Sequence, residues 1–409
     1  FGTENAKVYA VHAETGDEIW SFDANYAVHG APAIDNQGRI FVSGGGDDFT
    51  GYVHAIELDT GDEIWSTELD DEVVGSPAIG PDGIVYVTNE NGGDIIALDP
   101  DNGDVMWSAG NVSEASPAIS TGGSVFIGEE GFSDGSFSAY DWKTGRKIWT
   151  YTSDETGFES SPAYYNGIVY TGSDRGYIYA FNGTDGELIW NREVYSGTGG
   201  DTWLRTSPIV TEDRIVVASP GDTLYSLDRT TGDHQWKFAT QNAIEYAPAM
   251  DSEGIVYVGS NDSTFYAVDG STGQKEWQFA TDGKVTGSPA IGEDALFVGT
   301  ENGTLYAVGP VGVSTEDEQA LPERFALEQN YPNPYNPSTN INYQLPEAAE
   351  VTISVYDIVG KKVAVLIDQQ QPAGVHQVSF DGSGLASGIY IYRIEAKDFV
   401  ETRKMTLIK

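Results

Sequence analysis

The chain contains no cysteine among its 409 residues. A disulfide, a thiolate nucleophile and a cysteine-ligated zinc site are therefore excluded. Basic residues are also scarce, with 21 against 63 acidic ones, and the resulting net charge of −42 disfavours nucleic acid and anionic membranes as partners. No apolar run approaches the roughly 18 residues of a membrane-spanning helix, so membrane insertion is not expected.

The acidic charge is concentrated in the first three quarters of the chain. Residues 321–409 contain 10 acidic and 8 basic residues, net −2, which leaves −40 for residues 1–320. A saline exterior that screens this self-repulsion explains it, and a surface dedicated to cations is the alternative. The 49 glycines and 23 tyrosines favour an all-β fold with many tight turns.

One eleven-residue phrase recurs seven times, as in AIELDTGDEIW at 55–65. Each copy opens on a small residue, has glycine at its seventh position and ends on tryptophan. The pattern predicts a strand, a glycine turn and a second strand, with the tryptophan packed against a neighbouring unit. The predicted docking residues are Trp20, Trp65, Trp107, Trp149, Trp190, Trp236 and Trp277.

A second phrase, SPAI or a close variant, lies between the copies and is followed by an apolar strand such as IVYVGS. Each unit of 41 to 46 residues therefore contains four short strands. Four strands repeated about seven times predict a β-propeller, in which each four-stranded blade covers the next. We expect seven blades, with an eighth as the alternative that would need a segment before Phe1.

These phrases resemble the tryptophan-docking repeat of the quinoprotein (PQQ-like) β-propellers over residues 1–309. That family includes quinone-dependent alcohol dehydrogenases and a non-catalytic lipoprotein of outer-membrane protein assembly. The resemblance implies the propeller fold, but fold does not imply function. The enzymes of the family bind their quinone with calcium and, in many members, a vicinal disulfide. Because this chain has neither cysteine nor long insertions, no quinone cofactor is expected.

Residues 310–325 read as an acidic linker, and residues 326–409 alternate as a small Ig-like β-sandwich would. This last segment is similar to the type A C-terminal sorting domain of the type IX secretion system. The similarity rests on NYPNPYNP, VYDIVGKKV, LASGIYIYRI and KMTLIK. It implies a secreted or cell-surface protein that interacts with the secretion machinery.

Candidate binding residues come from the loops that differ most between repeats. In a propeller the connections between the second and third strands, and between one blade and the next, emerge on one face. Exposed aromatic residues beside acids are expected to form a binding surface there. The candidates are Asp47, Asp48, Phe49, Glu129, Glu130, Phe132, Asp201, Trp203 and Arg205.

A second candidate site follows from the register of the proline phrase. The residues three positions before each proline are expected to meet near the propeller axis, and we call them the mouth ring: His29, Val74, Glu114, Glu159, Arg205, Glu245 and Thr286. A solvated channel rim explains such a set. Weak calcium binding by Glu114, Glu159 and Glu245 is the alternative, and calcium is the sole cofactor considered.

Two functions remain open from the sequence. The first is a secreted, non-catalytic module that binds a surface protein or glycan, or that assembles with itself. The second is an extracellular enzyme, polysaccharide-active or quinone-dependent, that uses the variable loop face. The sequence has no GxSxG, HExxH or P-loop motif, and its five histidines lack metal-ligand spacing, which favours the first.

Overall fold

Every regular element described in the structure is a β-strand. The computed structural model describes residues 1–46, 50–90, 93–110, 112–129, 135–154, 156–195, 204–292, 295–309, 324–327, 329–330, 333, 335, 337–346, 348–371, 374–397 and 399–408. Across these ranges, no helix is long and apolar enough to cross a membrane. The chain divides into two compact units, Phe1–Pro310 and Val311–Lys409. The predicted all-β class is confirmed for the described residues.

The first unit is a series of antiparallel sheets that follow the chain. It begins with a two-stranded sheet, β1 (Lys7–Val11) and β2 (Glu18–Asp23). A five-stranded sheet follows, β3 (Ala27–Val28), β4 (Ala33–Ile34), β5 (Arg39–Gly46), β6 (Thr50–Glu57) and β7 (Glu63–Leu69). Here β3 and β4 both pair with β5.

Five four-stranded sheets come next, and each pairs its strands in chain order. Their strands are β8 (Ala78–Ile79), β9 (Val85–Thr88), β10 (Ile95–Leu98) and β11 (Val105–Ala109); β12 (Ala118–Ile119), β13 (Ser124–Glu129), β14 (Ser136–Asp141) and β15 (Lys147–Thr152); β16 (Ala163–Tyr165), β17 (Ile168–Gly172), β18 (Tyr177–Asn182) and β19 (Leu188–Glu193); β20 (Ile209–Val210), β21 (Arg214–Ala218), β22 (Thr223–Asp228) and β23 (His234–Ala239); β24 (Ala249–Met250), β25 (Ile255–Ser260), β26 (Thr264–Asp269) and β27 (Lys275–Ala280). A three-stranded sheet ends the unit, β28 (Ala290–Ile291), β29 (Leu296–Gly299) and β30 (Leu305–Val308).

The repeated phrase forms the outer hairpin of every described sheet of the first unit except the last, three-stranded one. Its small first residue lies opposite its tryptophan in the register, as Ala139 lies opposite Trp149, and a β-bulge follows immediately. The turn closes when the glycine N–H donates to the carbonyl four residues earlier, as Gly145 does to Asp141 at 2.9 Å. The seven turn glycines have φ between +65° and +76°, a region that costs other L-residues energy.

Each tryptophan of six successive sheets docks on the outer turn of the following sheet. Its indole N–H donates to the carbonyl three residues before the next turn glycine, at 2.9 to 3.3 Å, and the ring covers that glycine. Such a bond contributes about 1 kcal/mol net, in addition to the burial of the ring. The six donor and acceptor pairs are Trp20–Leu58, Trp65–Pro100, Trp107–Trp142, Trp149–Gly183, Trp190–Arg229 and Trp236–Gly270.

The series of docks is open at both ends. A Cβ atom built on Gly16 meets no other atom within 4 Å, whereas each of the six later turn glycines is covered by a tryptophan. At the other end, Trp277 packs on Tyr257 and Phe265 of its own sheet. Two of the seven tryptophans, Trp20 and Trp65, are buried, and the other five are half-buried.

The predicted seven-bladed closure would mix terminal strands within one blade. Among the described strands, β2 pairs with β1 and β30 pairs with β29, in separate sheets. The number of blades therefore stays a prediction.

The second unit contains two antiparallel sheets. One has the order β31 (Ala326–Leu327), β32 (Ser338–Leu345) and β35 (Gly374–Asp381). The other has the order β34 (Lys362–Gln371), β33 (Ala349–Asp357), β36 (Gly388–Ala396) and β37 (Phe399–Leu407). Side chains from both sheets, such as Ile341 and Ile353, share a single core. Most of the predicted linker, residues 310–325, lies outside the described residues.

We expect Gly186→Ala to destabilise the first unit more than Gly16→Ala does. Both glycines have nearly the same φ, +75° and +73°, so both variants incur the left-handed strain of about 1–2 kcal/mol. The new Cβ at position 186 would also lie 2.5 Å from the Trp149 ring, and displacing that ring should add about 1–3 kcal/mol. Urea unfolding of both variants measures the difference, and equal losses would show that the dock does not stabilise the fold.

Candidate functional site

The mouth ring residues lie where the chain approaches each inner strand. All seven are exposed or half-buried, while the residue immediately before each one is buried. These preceding residues are Val28, Val73, Ser113, Phe158, Leu204, Ile244 and Val285. The buried side chains anchor the backbone to the interior of the unit, and the mouth ring side chains that follow them face solvent.

Serines next to the phrase prolines connect neighbouring sheets beside the mouth ring. The backbone N–H of Ala31 donates to the hydroxyl of Ser76, at 2.8 Å. The N–H of Ser76 donates in the same way to Ser116, at 2.8 Å, and that of Ser116 to Ser161, at 3.0 Å. The serine hydroxyl of each of these three SPA phrases thus accepts a hydrogen bond from a backbone N–H of the preceding repeat. These hydrogen bonds hold neighbouring inner strands in one relative position.

Two mouth ring residues from adjacent sheets form an ion pair. Arg205 Nη2 lies 3.2 Å from Glu159 Oε2, and both side chains are partly exposed. These two residues are 46 positions apart in the chain, and the ion pair brings their side chains together. An exposed pair of this kind contributes little to stability.

Asp174 completes a charged cluster with Glu159 and Arg205. Burial first, and then the negative charge of Glu159, raise the pKa of the Asp174 carboxyl to about 6. Arg205 and the N–H of Gly157 oppose the shift. A side chain at Gly157 would collide with the Asp174 carboxylate, so glycine leaves the space that this carboxylate occupies. The cluster can therefore change its charge in mildly acidic conditions.

The other charged mouth ring residues have partners outside the ring. His29 Nε2 lies 3.0 Å from the Glu72 carboxylate. The Glu245 carboxylate accepts a hydrogen bond from the Asn261 amide at 2.8 Å. Glu114 is exposed, and its carbonyl receives the Thr88 hydroxyl at 3.4 Å. The ring therefore presents several local polar pairs.

In the part of the chain that the structure describes, no group of three or more histidine, aspartate or glutamate side chains is arranged to hold a metal ion. Calcium binding by Glu114, Glu159 and Glu245 thus has no geometric support beyond their shared register, and it stays a prediction.

The candidate binding residues of the variable loops divide into two groups. Seven of them, Asp47, Asp48, Phe49, Glu130, Phe132, Asp201 and Trp203, lie outside the described residues. Glu129 and Arg205 are described, and Arg205 is exposed as expected.

Glu129 differs from the expectation of an exposed loop acid. It ends β13 and is buried, because its carboxylate accepts a hydrogen bond from the Tyr140 hydroxyl at 2.6 Å and pairs with Lys147 Nζ at 2.5 Å. Both bonds hold it inside its own sheet. Glu129 therefore has a structural role at this position.

Sequence reasoning missed Asp174, Glu72 and the serines of the SPA phrase. Each acts through a contact with a different sheet or loop, which a linear pattern does not display. The recurrence of serine before the phrase proline was the one available signal, since five of the seven copies have it.

Comparison with known proteins identifies both parts of the chain. A family model described as outer membrane protein assembly factor BamB matches residues 4–135, 133–252 and 237–311. A model described as a secretion system C-terminal sorting domain matches residues 329–409. Both resemblances inferred from the sequence are confirmed.

Individual relatives support the same assignment. Outer membrane protein assembly factor BamB of Francisella tularensis is 27% identical over 137 residues, which are 33% of this chain and 29% of that protein. This chain thus matches less than a third of that relative's length. The crystal structure of BamB from Moraxella catarrhalis has a TM-score of 0.60 at 20% identity, covering 75% of this chain and 91% of that one.

A europium-containing methanol dehydrogenase has a TM-score of 0.55 at 14% identity, covering 74% of this chain and 79% of that one. At these identities the structural likeness shows the β-propeller fold alone.

We expect Asp174→Asn to flatten the pH dependence of stability. Because the folded-state pKa of about 6 exceeds the ordinary 3.8, the contribution of this carboxyl to the stability of the wild type falls as pH rises from about 4 through 6. The half-buried position reduces the loss to about 1 kcal/mol after solvent screening. Urea midpoints at pH 4.5 and 7.5 measure it, with the exposed Asp70→Asn as control. Parallel pH profiles for D174N and the wild type would contradict the prediction.

Proposed function

Since the chain belongs to the family described as outer membrane protein assembly factor BamB, we propose that its β-propeller is a non-catalytic binding or structural module. The protein is secreted to the cell surface or the extracellular space, as its C-terminal sorting domain indicates. The partner that we propose for the propeller is a polar surface component, either a glycan or a protein.

The observation that carries this proposal is the mouth ring. Its residues are fixed by buried neighbours and by serine bonds between sheets, while their charged ends face solvent. Polar groups held on a well-fixed backbone form specific contacts with little loss of conformational entropy on binding. The exposed Arg205 beside Glu159 can bind a carboxylate or a hydroxyl-rich ligand through its planar guanidinium.

Two structural details belong to the same proposal. Among the described strands, six sheets of four or five strands lie between terminal sheets of two and three strands, and this series favours eight blades over seven because the terminal strands pair within their own sheets. For the C-terminal unit we propose an Ig-like sandwich, supported by two antiparallel sheets around one core.

A binding screen with the full chain tests the role of the mouth. We expect saturable binding to one class of surface glycan or protein, reduced at least about tenfold by Arg205→Ala because the guanidinium contact is lost. Lys143→Ala, in an outer turn, is the matched control and should bind normally. The same preparation is assayed for alcohol oxidation with quinone and calcium and for polysaccharide cleavage. Turnover in either assay would contradict the non-catalytic proposal.

Deleting residues 326–409 should retain the protein in the periplasm of its host. The deletion removes every described strand of the unit that matches the sorting domain. Immunoblots of periplasm and medium measure the distribution, and resistance of the retained propeller to protease reports its folding. Normal amounts of the truncated protein in the medium would show that the sorting domain does not direct export.

A further inference from the structure

The hairpin between β33 and β34 exposes two aliphatic side chains at its tip. Ile358 is 73% exposed and Val359 is 82% exposed, the highest values among the exposed large hydrophobic residues of the described chain. The other exposed aliphatic residues of the same unit, such as Val400 at 51%, lie along strands, except Ile408, which directly follows β37. Adjacent aliphatic residues at a protruding turn are unfavourable in water unless a partner covers them.

The turn that carries these residues is fixed by its own hydrogen bonds. The Asp357 carboxylate accepts the N–H groups of Val359 at 3.0 Å and Lys361 at 2.9 Å. The N–H of Gly360 donates to the Asp357 carbonyl at 3.0 Å, and Gly360 has φ of +82°. Ile358 and Val359 are therefore presented in one orientation, so a partner would bind them at a small entropic cost.

Two lysines follow the aliphatic pair. Lys361 and Lys362 are exposed, and among the described residues neither has a carboxylate within ion-pair distance. Lys362 Nζ lies 5.7 Å from the centroid of the Tyr356 ring, which holds the ammonium beside the turn. Residues 357–362 contain these two lysines and one aspartate, and this local excess of positive charge in a chain of net charge −42 suits an acidic partner surface.

We propose that this tip is the docking element of the sorting domain, and that its occupant is a protein of the export machinery with an apolar pocket and an acidic rim. Ile358 and Val359 fill the pocket, and Lys361 and Lys362 pair with the rim. The proposal rests on the assigned export role of the domain. A membrane surface fits less well, because two lysines gain only about 1 kcal/mol each at an anionic bilayer that repels the rest of the chain.

Export of full-length variants tests the proposal. Ile358→Ser/Val359→Ser should lower the amount in the medium at least tenfold and raise the periplasmic amount, while the melting temperature of the purified variant stays unchanged. Lys361→Glu/Lys362→Glu should have the same effect, since it reverses the charge without removing apolar surface. The matched control is Ile389→Ser/Val400→Ser, which also removes two exposed aliphatic side chains from this unit.

Normal export of the tip variants would overturn the inference, and so would an equal loss in the strand control. If the tip variants are exported while deletion of residues 326–409 blocks export, the inference fails and the proposed function stands. If the deletion itself is exported, the export role is wrong.

Two measurements on the purified full chain address other occupants. Flotation with phosphatidylcholine–phosphatidylglycerol vesicles that requires Ile358 and Val359 would identify a membrane. Sedimentation showing dimers that require the same residues would identify a second copy. Either result overturns the proposal.

Discussion

The contact between each tryptophan and the turn glycine of the following sheet determines most of this structure. The ring needs a flat surface, which glycine provides, and its N–H needs a carbonyl, which the same turn provides three residues earlier. The tight turn also needs a residue with positive φ. One glycine therefore provides both the backbone conformation of the turn and the flat surface under the ring. A four-stranded sheet cannot bury both faces alone, and the contact joins it to its neighbour.

The parts of the fold that repeat could be predicted from the sequence. Trp149 is the last residue of its copy and Gly186 the seventh of the next, so their local strand and turn roles followed from the pattern. The pattern did not show that Gly186 is the surface on which the Trp149 ring packs, because that contact joins residues 37 positions apart. The carboxylate of Asp174 was missed for the same reason, since Glu159 and Arg205 reach it from other segments.

The register of the repeats says which residues precede each inner strand, whereas the burial of an individual side chain depends on its local contacts. Each mouth ring residue is exposed or half-buried and follows a buried residue, and Glu159 pairs with Arg205 of the adjacent repeat. Glu129 also occupies a strand end, but a tyrosine hydroxyl and a lysine from its own sheet draw its carboxylate inside. The spacing of residues in the sequence cannot predict this burial, because the burial depends on side chains of two other strands.

The acidic charge acts on the outer strands as well as on ligands. Each outer strand ends its sheet, and the residue before the tryptophan is exposed and aliphatic in five sheets: Ile19, Ile64, Met106, Ile148 and Ile189. Free strand edges with apolar side chains favour pairing between molecules. A charge of −40 over residues 1–320 opposes that approach, so the composition that suits a saline exterior also keeps these edges apart. The basic tip of the C-terminal unit is then the local exception that permits a specific contact.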